Sequence, residues 1–440
     1  MTKVGFISLG CPKNLVDSEV MLGHLQLGGY ALTNDIREAE ILIVNTCGFI
    51  DSAKEESIQA ILEAASMKRC GSCKKLIVAG CLVERYREQL LADMPEIDAV
   101  AGTRDIEKIV EIISSSDREP KTAGDRMYLY SEVSPRFLTT HRASAYIKIS
   151  EGCDHSCAFC AIPAIRGAQR SRTIPGVIAE ARRLVEQGVQ EINLVGQDTT
   201  DFGRDLGQPN ALESLIRALG KLDGLKWFRV HYTYPNRLPD SLLDAMGETP
   251  NCCKYLDIPL QHAHAGILKT MARGGSSKTF MEMIERVRKR IQGVFIRSNF
   301  IVGFPGEDEA AFNELRDFIA EARFDHVGVF TYSQEEGTSA FSLGDTVHKR
   351  TKGKRRRILM ELQQGISKKR NQALVGKTLE VMAEGFHDET DLIIKGRHRG
   401  QAPEIDGNVL IVGGEPELYA IQNVQITEAY AYDLVGHVVP

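Results

Sequence analysis

The chain of 440 residues is short of several features, and each shortage removes a class of protein. No window approaches the roughly 18 uninterrupted apolar residues of a membrane span, so a helical membrane protein is not expected. Neither sign of charge dominates: the formal net charge is -5, too mild to name a nucleic-acid or membrane partner by itself. A disordered composition is missing too, with 43% hydrophobic and 26% charged residues. The start, MTKVGFISLGCPKNLVDSE, lacks a signal-peptide pattern, because Pro12, Lys13, Asp17 and Glu19 soon interrupt its apolar stretch. A cytoplasmic location is therefore expected, and with it reduced thiols rather than a disulfide framework. There is no internal repeat beyond an alternation of strand-like and helix-like segments. Cysteine is absent from 82–152 and from everything after 253. Ten cysteines crowd the remainder, at 11, 47, 70, 73, 81, 153, 157, 160, 252 and 253. Metal ligation, thiol chemistry and plain burial are the open readings.

At roughly 150 residues per domain the length suits two to four domains. Short apolar runs at Val4 to Leu9, Glu40 to Asn45 and Lys75 to Ala79 read as buried strands. Helical spacing fills Asp17 to Leu27 and Ser52 to Met67, with Ser52 and Glu55 placed as a capping box. This alternation predicts an α/β domain with a parallel sheet. Residues 114–142 are polar and broken by Pro120, Gly124 and Pro135, so the first boundary falls there. Six further strands are expected at Ala145 to Ile149, Glu191 to Val195, Trp227 to Tyr232, Tyr255 to Ile258, Phe295 to Val302 and His326 to Phe330. They suit a partial (β/α) barrel, with an open doubly wound sheet as the alternative. Residues 349–370 read as a helix holding ten Lys/Arg against one Glu, a net of +9. Residues 376–440 read as short strands (Thr378 to Ala383, Leu392 to Lys395, Asn408 to Val412 and Ala420 to Glu428) in a small antiparallel β-barrel. They hold four Lys/Arg against eleven Asp/Glu, a net of -7. The expected domains are 1–135, 140–370 and 371–440.

Cys153, Cys157 and Cys160 form CDHSCAFC directly after the strand AYIKI. Three soft sulfur ligands at this spacing suit three irons of a 4Fe-4S cluster, with one iron left open. The bland readings are a zinc knuckle or buried thiols. Zinc wants a fourth Cys or His, and His155 inside the loop is poorly placed to serve. Cys11, Cys47 and Cys81 each end a predicted strand, in ISLGC, IVNTC and IVAGC, spaced by 36 and 34 residues. Parallel strands would carry all three to the carboxyl edge of one sheet, where α/β folds place ligands. A second three-thiolate cluster site is the sharp reading, and three independent buried cysteines the bland one.

The first triplet resembles the radical S-adenosylmethionine (SAM) superfamily. Two cluster sites with the barrel second, together with SLGCPKN, NTCGF and AGCL, resemble the methylthiotransferase family over essentially the whole chain, with a TRAM domain as its tail. The stretches CAIPAIRG (Cys160 to Gly167), GQDTTDFG (Gly196 to Gly203), YLDIPLQH (Tyr255 to His262) and AYDLVG (Ala431 to Gly436) resemble its ribosomal-protein-modifying branch. The resemblance implies two 4Fe-4S clusters and SAM as cofactors, and an aspartate of ribosomal protein S-twelve as substrate. One SAM then supplies the methyl group of a methylthio unit assembled at the first cluster. A second SAM supplies a 5'-deoxyadenosyl radical that removes hydrogen from the aspartate's beta carbon. It further implies that Phe159 packs near adenine, Gln197 meets the methionine end of SAM, and Gly303 and Glu307 lie under the adenosyl group. An electron donor such as flavodoxin or ferredoxin is expected, with no membrane and no tRNA. The acidic tail agrees, since phosphate contacts call for a basic one and a basic protein partner for an acidic one. The basic helix cuts the other way: it is either a solvated face or an approach to ribosomal RNA. A tRNA methylthiotransferase and a non-catalytic iron–sulfur carrier are the rival functions.

Arg166 and Arg172 follow the cluster loop; they either steady carboxylates of SAM or substrate, or merely cover surface. Cys70 and Cys73 form a lone CxxC in a polar loop, read as incidental rather than as a redox pair or half a zinc site. The adjacent Cys252 and Cys253 are awkward for a shared tetrahedral site and read as packing residues.

Overall fold

A computed structural model describes residues 1–118 and 128–439. Pro120 and Gly124, used above to place a boundary, lie outside the described residues. The chain starts with β1 (Lys3–Ser8), α1 (Pro12–Leu27), β2 (Ala31–Thr33), β3 (Ile41–Thr46), α2 (Asp51–Cys70), β4 (Lys75–Gly80), α3 (Cys81–Asp93), β5 (Ala99–Ala101) and α4 (Ile109–Ser114). The sheet order is β2-β1-β3-β4-β5, and the four pairings are parallel. Every residue of the central strand β3 is buried, which is why ILIVNT reads as one apolar run without alternation. The short strands β2 and β5 escaped the sequence reading, because three residues are too few to show a period.

The capping box at Ser52 is not formed. Ile50 is the N-cap residue and accepts nothing through its side chain, and Ser52 lies inside the helix. Asp51 instead places its carboxylate in the first turn and pairs with Lys54 at 2.7 Å.

Next come β6 (Ser144–Lys148), β7 (Ser150–Glu151), α5 (Ile162–Arg166), β8 (Arg170–Ser171), α6 (Ile174–Glu186), β9 (Glu191–Val195), α7 (Ala211–Leu219), β10 (Trp227–Val230), α8 (Asp240–Glu248), β11 (Cys252–Asp257), α9 (Ala265–Thr270), α10 (Ser277–Arg290), β12 (Phe295–Val302), α11 (Glu309–Ala322), β13 (His326–Thr331) and α12 (Lys349–Gln372). The six-stranded order β13-β12-β11-β10-β9-β6 follows the chain without reversal. A doubly wound sheet needs a reversal point, so the arrangement is the partial barrel. The tail adds β14 (Thr378–His387), β15 (Thr390–His398), β16 (Val409–Ile411), β17 (Ile421–Ala429) and β18 (Leu434–Val438), closed in the order β14-β15-β16-β18-β17. Four of its pairings are antiparallel, while β16 and β18 run parallel. No helix of the described residues is long and apolar enough to cross a membrane.

The chain divides into two compact units, with the first boundary after Thr139 and later exchanges of short segments. One comprises Met1–Thr139, Lys148–Arg172 and Glu335–Thr338; the other comprises Thr140–Ile147, Thr173–Gln334 and Ser339–Pro440. In the first unit the stretch after 128 is not a loose linker. Arg136 donates to the buried carboxylate of Glu19 at 2.9 and 2.6 Å, and the Thr139 N–H donates to it at 2.8 Å. A Cβ on Gly23 would meet the Pro135 carbonyl carbon at 2.5 Å, so that helix face admits only glycine.

In the second unit the tail barrel docks at the amino-terminal ends of the barrel strands through buried ion pairs. Arg397 donates to Glu191 at 2.6 Å and to Glu384 at 2.7 Å, and Arg229 donates to Glu191. Asp406 accepts from Arg297 at 2.6 Å and from the Tyr255 hydroxyl at 2.7 Å. Burial alone pushes these carboxyls up. Arg397 and Arg229 around Glu191, Arg397 and His141 around Glu384, and His326 and Arg297 around Asp406 outweigh it, holding all three below the usual range. Folded values below the unfolded value of about 4 mean that this stability is fully present above pH ~4 and is lost as pH falls through the folded values. The only tryptophan, Trp227, packs against Met382 and Ala402 of the tail and reports the docking. Its fluorescence in the apo chain is expected to hold steady from pH 7 to 5. Urea resistance then drops steeply between about pH 4 and 3.

Candidate functional site

All six motif cysteines lie in the first unit. Cys11, Cys47 and Cys81 emerge from the carboxyl ends of three neighbouring strands, β1, β3 and β4. Glycine makes two of these exits. Gly10 (φ 94°) precedes Cys11, the N-cap residue of α1, whose first helical residue is Pro12. Gly80 (φ 96°, ψ -157°) precedes Cys81, the first residue of α3. That conformation is essentially closed to side-chain-bearing residues, and a Cβ there would sit 2.3 Å from the Asn45 Oδ1. Gly80→Ala is therefore expected to destabilise the chain by ~1–3 kcal/mol or more, read as a lower urea midpoint with an unchanged slope.

Between the exits, polar side chains fasten the strand ends to one another. Asn14 Nδ2 donates to the Leu9 carbonyl at 2.6 Å and to that of Thr46 at 3.3 Å. Asn45 Nδ2 donates to the Asn14 carbonyl at 3.0 Å, and Thr46 Oγ1 to that of Ala79 at 2.5 Å. The buried Ser57 hydroxyl accepts from the Cys47 N–H at 3.0 Å and donates to its carbonyl at 2.9 Å. Glu335, also buried, pairs with Lys54 at 3.0 Å and with Arg85 at 2.9 Å, and Arg85 donates to the carbonyl of Gly48. The residue after Cys47 is thereby held.

Cys153, Cys157 and Cys160, each half-buried, sit in the loop between β7 and α5. The loop closes on itself: Cys153 N–H donates to Gly167 O at 3.0 Å, Cys160 N–H to Cys157 O at 3.0 Å, and Gln169 N–H to Asp154 Oδ1 at 2.9 Å. Ala161 and Ile165, just after the last of these cysteines, pack against Cys81. Arg166 ends α5 and turns towards the other trio. Its Nη2 lies 3.4 Å from the Cys81 Sγ, and its Nη1 donates to Asp17 and Glu151 at 2.9 Å each. Lys148 bridges the same two carboxylates. Burial opposes ionisation of Glu151, yet Arg166 and Lys148 bring its carboxyl down to about 2. Burial likewise resists ionising Cys11, but Lys13 and Arg166 prevail and draw that thiol below its ordinary value. For Cys81 burial wins against Arg166 and lifts the thiol to about 11; Cys47 is also raised by burial. All three thiols therefore feel the buried Arg166 guanidinium, with Lys13 the stronger cation for Cys11.

The placement of the sulfurs does not suit a single zinc ion. One Zn²⁺ with sulfurs at about 2.3 Å needs them within about 4 Å of one another. Among the described residues, neither thiol trio has its sulfurs all within 4.8 Å of one another.

Other expected site residues divide. Phe159 is half-buried within the cysteine loop, as is His155. Gln197, half-buried, follows β9 at its carboxyl end in the second unit. Gly303 (φ 77°) directly follows β12 there, and its N–H donates to the buried Glu307 Oε2 at 2.8 Å. Glu307 also accepts from Arg355 at 2.7 Å and faces His262 at 3.4 Å, so its carboxylate is engaged in holding the turn. Arg166 and Arg172 do not cover surface: both are buried, and the Arg172 guanidinium stacks on Tyr130 at 4.3 Å. Cys70 is exposed at the end of α2, whereas Cys73 is packed in the core of the first sheet. Cys252 and Cys253 are buried, Cys253 beside Trp227 and Tyr255. Asn14, Asp17, Asn45, Lys148, Glu151 and Glu335 were missed from sequence. A signal existed for Lys148: a lysine inside the fully buried strand SAYIK implies a buried partner.

Comparison with known proteins agrees along the whole chain. The family model for Uncharacterized protein family UPF0004 matches residues 3–102, that of the Radical SAM superfamily 147–319, and that of the TRAM domain 375–439. The ribosomal protein uS12 methylthiotransferase of Solibacter usitatus is 51% identical over 99% of this chain and 94% of its own length. That of Desulforamulus reducens is 48% identical over 99% of both, and that of Geobacter sulfurreducens 46% identical over 99% and 98%. Among solved structures, the radical SAM methyltransferase TsrM from Kitasatospora setae shares the fold at TM-score 0.54 and 14% identity, covering 75% of each chain. The cobalamin-dependent radical SAM enzyme OxsB does so at 0.53 and 12%, covering 82% of this chain and 56% of its own. The chain belongs to the ribosomal protein uS12 methylthiotransferase family of radical SAM enzymes.

Proposed function

We propose that the protein attaches a methylthio group to the beta carbon of an aspartate in ribosomal protein uS12. On this reading Cys11, Cys47 and Cys81 hold one 4Fe-4S cluster, and Cys153, Cys157 and Cys160 hold a second that also binds SAM. The bound groups supply what side chains cannot: an electron, a radical able to take hydrogen from an unactivated C–H bond, and the methylated sulfur. The chain's own residues bind and orient. The two trios offer three thiolates each, leaving one metal corner of each cluster free of protein. Arg166 balances the negative charge of the first trio from the segment that carries the second. Asp17, Glu151 and Lys148 lock that guanidinium, so the two sites keep their relation without rearrangement. Phe159 and Gln197 are the proposed contacts to the adenine and methionine parts of SAM. Gly303 presents bare backbone beneath the adenosyl group, and Glu307 acts on it through the turn. The working location is the cytoplasm, with flavodoxin or ferredoxin as electron source and no role for tRNA.

The observation that carries this reading is the 3.4 Å approach of Arg166, six residues after Cys160, to the Cys81 sulfur. Iron and sulfide analysis of anaerobically reconstituted protein is expected to give about eight irons per chain. Incubation with SAM, reductant and uS12 is expected to add one methylthio group to a single aspartate. A preparation saturating at four irons overturns the second site. A methylthio group appearing on tRNA and not on uS12 overturns the substrate.

A further inference from the structure

Helix α12 presents two unlike faces. Lys352, Arg355, Leu359, Gln363 and Ser367 are buried at spacings of three and four residues. Their polar ends are used inside the second unit: Lys352 Nζ donates to Tyr332 O at 2.9 Å, Arg355 to Glu307, and Gln363 Nε2 to Phe324 O at 3.0 Å. The helix also shields the edge strand β13, since Arg356 Nε donates to the Val329 carbonyl at 3.1 Å. The outward face is different. Lys349, Arg350, Lys354, Arg357, Lys368 and Lys369 are exposed, against the single acid Glu361. Arg357 and Glu361 make one long exposed contact of 3.8 Å. The remaining five cations have no ion pair among the described residues. Arg350, Lys354 and Arg357 follow one another at four and three residues, a spacing at which like charges repel. A helix of 24 residues extends about 36 Å. This one starts beside the Gly303–Glu307 turn at the carboxyl rim of the barrel and ends where the tail barrel begins.

The second unit thus displays a polycationic rod and, in the tail, a strongly acidic barrel. An RNA partner alone would be repelled by the tail, and a basic protein alone by the rod. A partner that shows both a basic protein and an RNA backbone satisfies both. We propose that the exposed basic face of α12 docks on the phosphate backbone of RNA in the particle that carries uS12, so that the enzyme takes its substrate in the assembled small subunit. This deepens the function proposed above and rests on it for the identity of the particle.

The test uses the loaded, full-length enzyme carrying Lys354→Glu, Arg357→Glu, Lys368→Glu and Lys369→Glu together. The first readout is anisotropy of a labelled RNA hairpin across a salt series. Affinity at about 100 mM salt is expected to fall at least ~10-fold, with the slope of log affinity against log salt shallower by about 3–4. The second readout compares modification of unmodified small ribosomal subunits with that of a uS12 loop peptide. kcat/KM on subunits is expected to fall at least ~10-fold, while that on the peptide stays within about twofold. Lys278→Glu with Lys289→Glu, exposed lysines of α10, is expected to change neither. Unchanged RNA affinity and slope, or equal losses on subunits and peptide, overturn the docking surface. Absence of any uS12 modification by the unaltered enzyme counts against the proposed function, and the RNA readout then still decides the docking.

Discussion

A Cys157→Ala variant is expected to form no 5'-deoxyadenosine from SAM and to leave uS12 unmodified. Its iron content falls towards four per chain, and it still converts SAM to S-adenosylhomocysteine at the first site. Cys157 is the middle member of a trio whose loop is closed by the Cys153–Gly167 and Cys160–Cys157 backbone bonds. Alanine removes a proposed ligand and leaves that closure intact, so the chain is expected to fold with the site unable to hold a cluster. Nothing else in the protein can substitute, because no side-chain acid or base removes hydrogen from a carbon without acidity. The loss is therefore at least ~10³-fold, about 4 kcal/mol of barrier. The reciprocal variant, Cys47→Ala, is expected to keep 5'-deoxyadenosine formation and lose the methylthio product. Product analysis by mass spectrometry separates the two. Undiminished uS12 modification by Cys157→Ala refutes the assignment.

Arg166→Ala is expected to be nearly as damaging by a different route. The guanidinium is buried between Asp17, Glu151 and the Cys81 sulfur. Removing one partner of a buried charge network leaves the others uncompensated, which costs ~3–5 kcal/mol. Lys148 remains beside both carboxylates and limits the loss of fold. It has no contact with Cys81 to offer in exchange, so the first site suffers most. The expected result is a lower urea midpoint, loss of iron from the first site with retention at the second, and a more negative reduction potential for whatever first cluster remains. The sign follows from charge: withdrawing a cation makes adding an electron harder. Arg166→Lys restores the charge without the planar fork that reaches two carboxylates and a sulfur at once, and is expected to recover stability more than iron loading. A potential unmoved in Arg166→Ala, measured by redox-poised electron paramagnetic resonance, removes Arg166 from this role.

Local pattern announced much of this architecture. Glu191 to Val195 and Phe295 to Val302 are strands with the expected bounds, because a run of apolar and β-branched residues ended by polar turns admits little else. The order of the six barrel strands follows from short right-handed connections between successive parallel strands. The two cysteine trios were equally legible, one from close spacing and the other from recurrence at strand ends.

The pairings around the trios were not legible, and the reason is separation. Lys148 meets Asp17 across 131 positions, Arg166 meets Asp17 across 149, and Arg166 meets Cys81 across 85. No periodicity links such residues; only the packing of the cluster loop with the first sheet selects them. The same packing moved 148–172 into the unit of the first sheet and turned the polar stretch after 128 into a strap on α1. Composition and spacing thus specified the elements, the grouping of six cysteines into two trios and the acidic tail, since those follow from local pattern and its recurrence. Which cation faces which sulfur, and which face of the basic helix remains open to a partner, followed from burial, because a charge placed in a low-dielectric interior must find its counter-charge wherever the fold brings one.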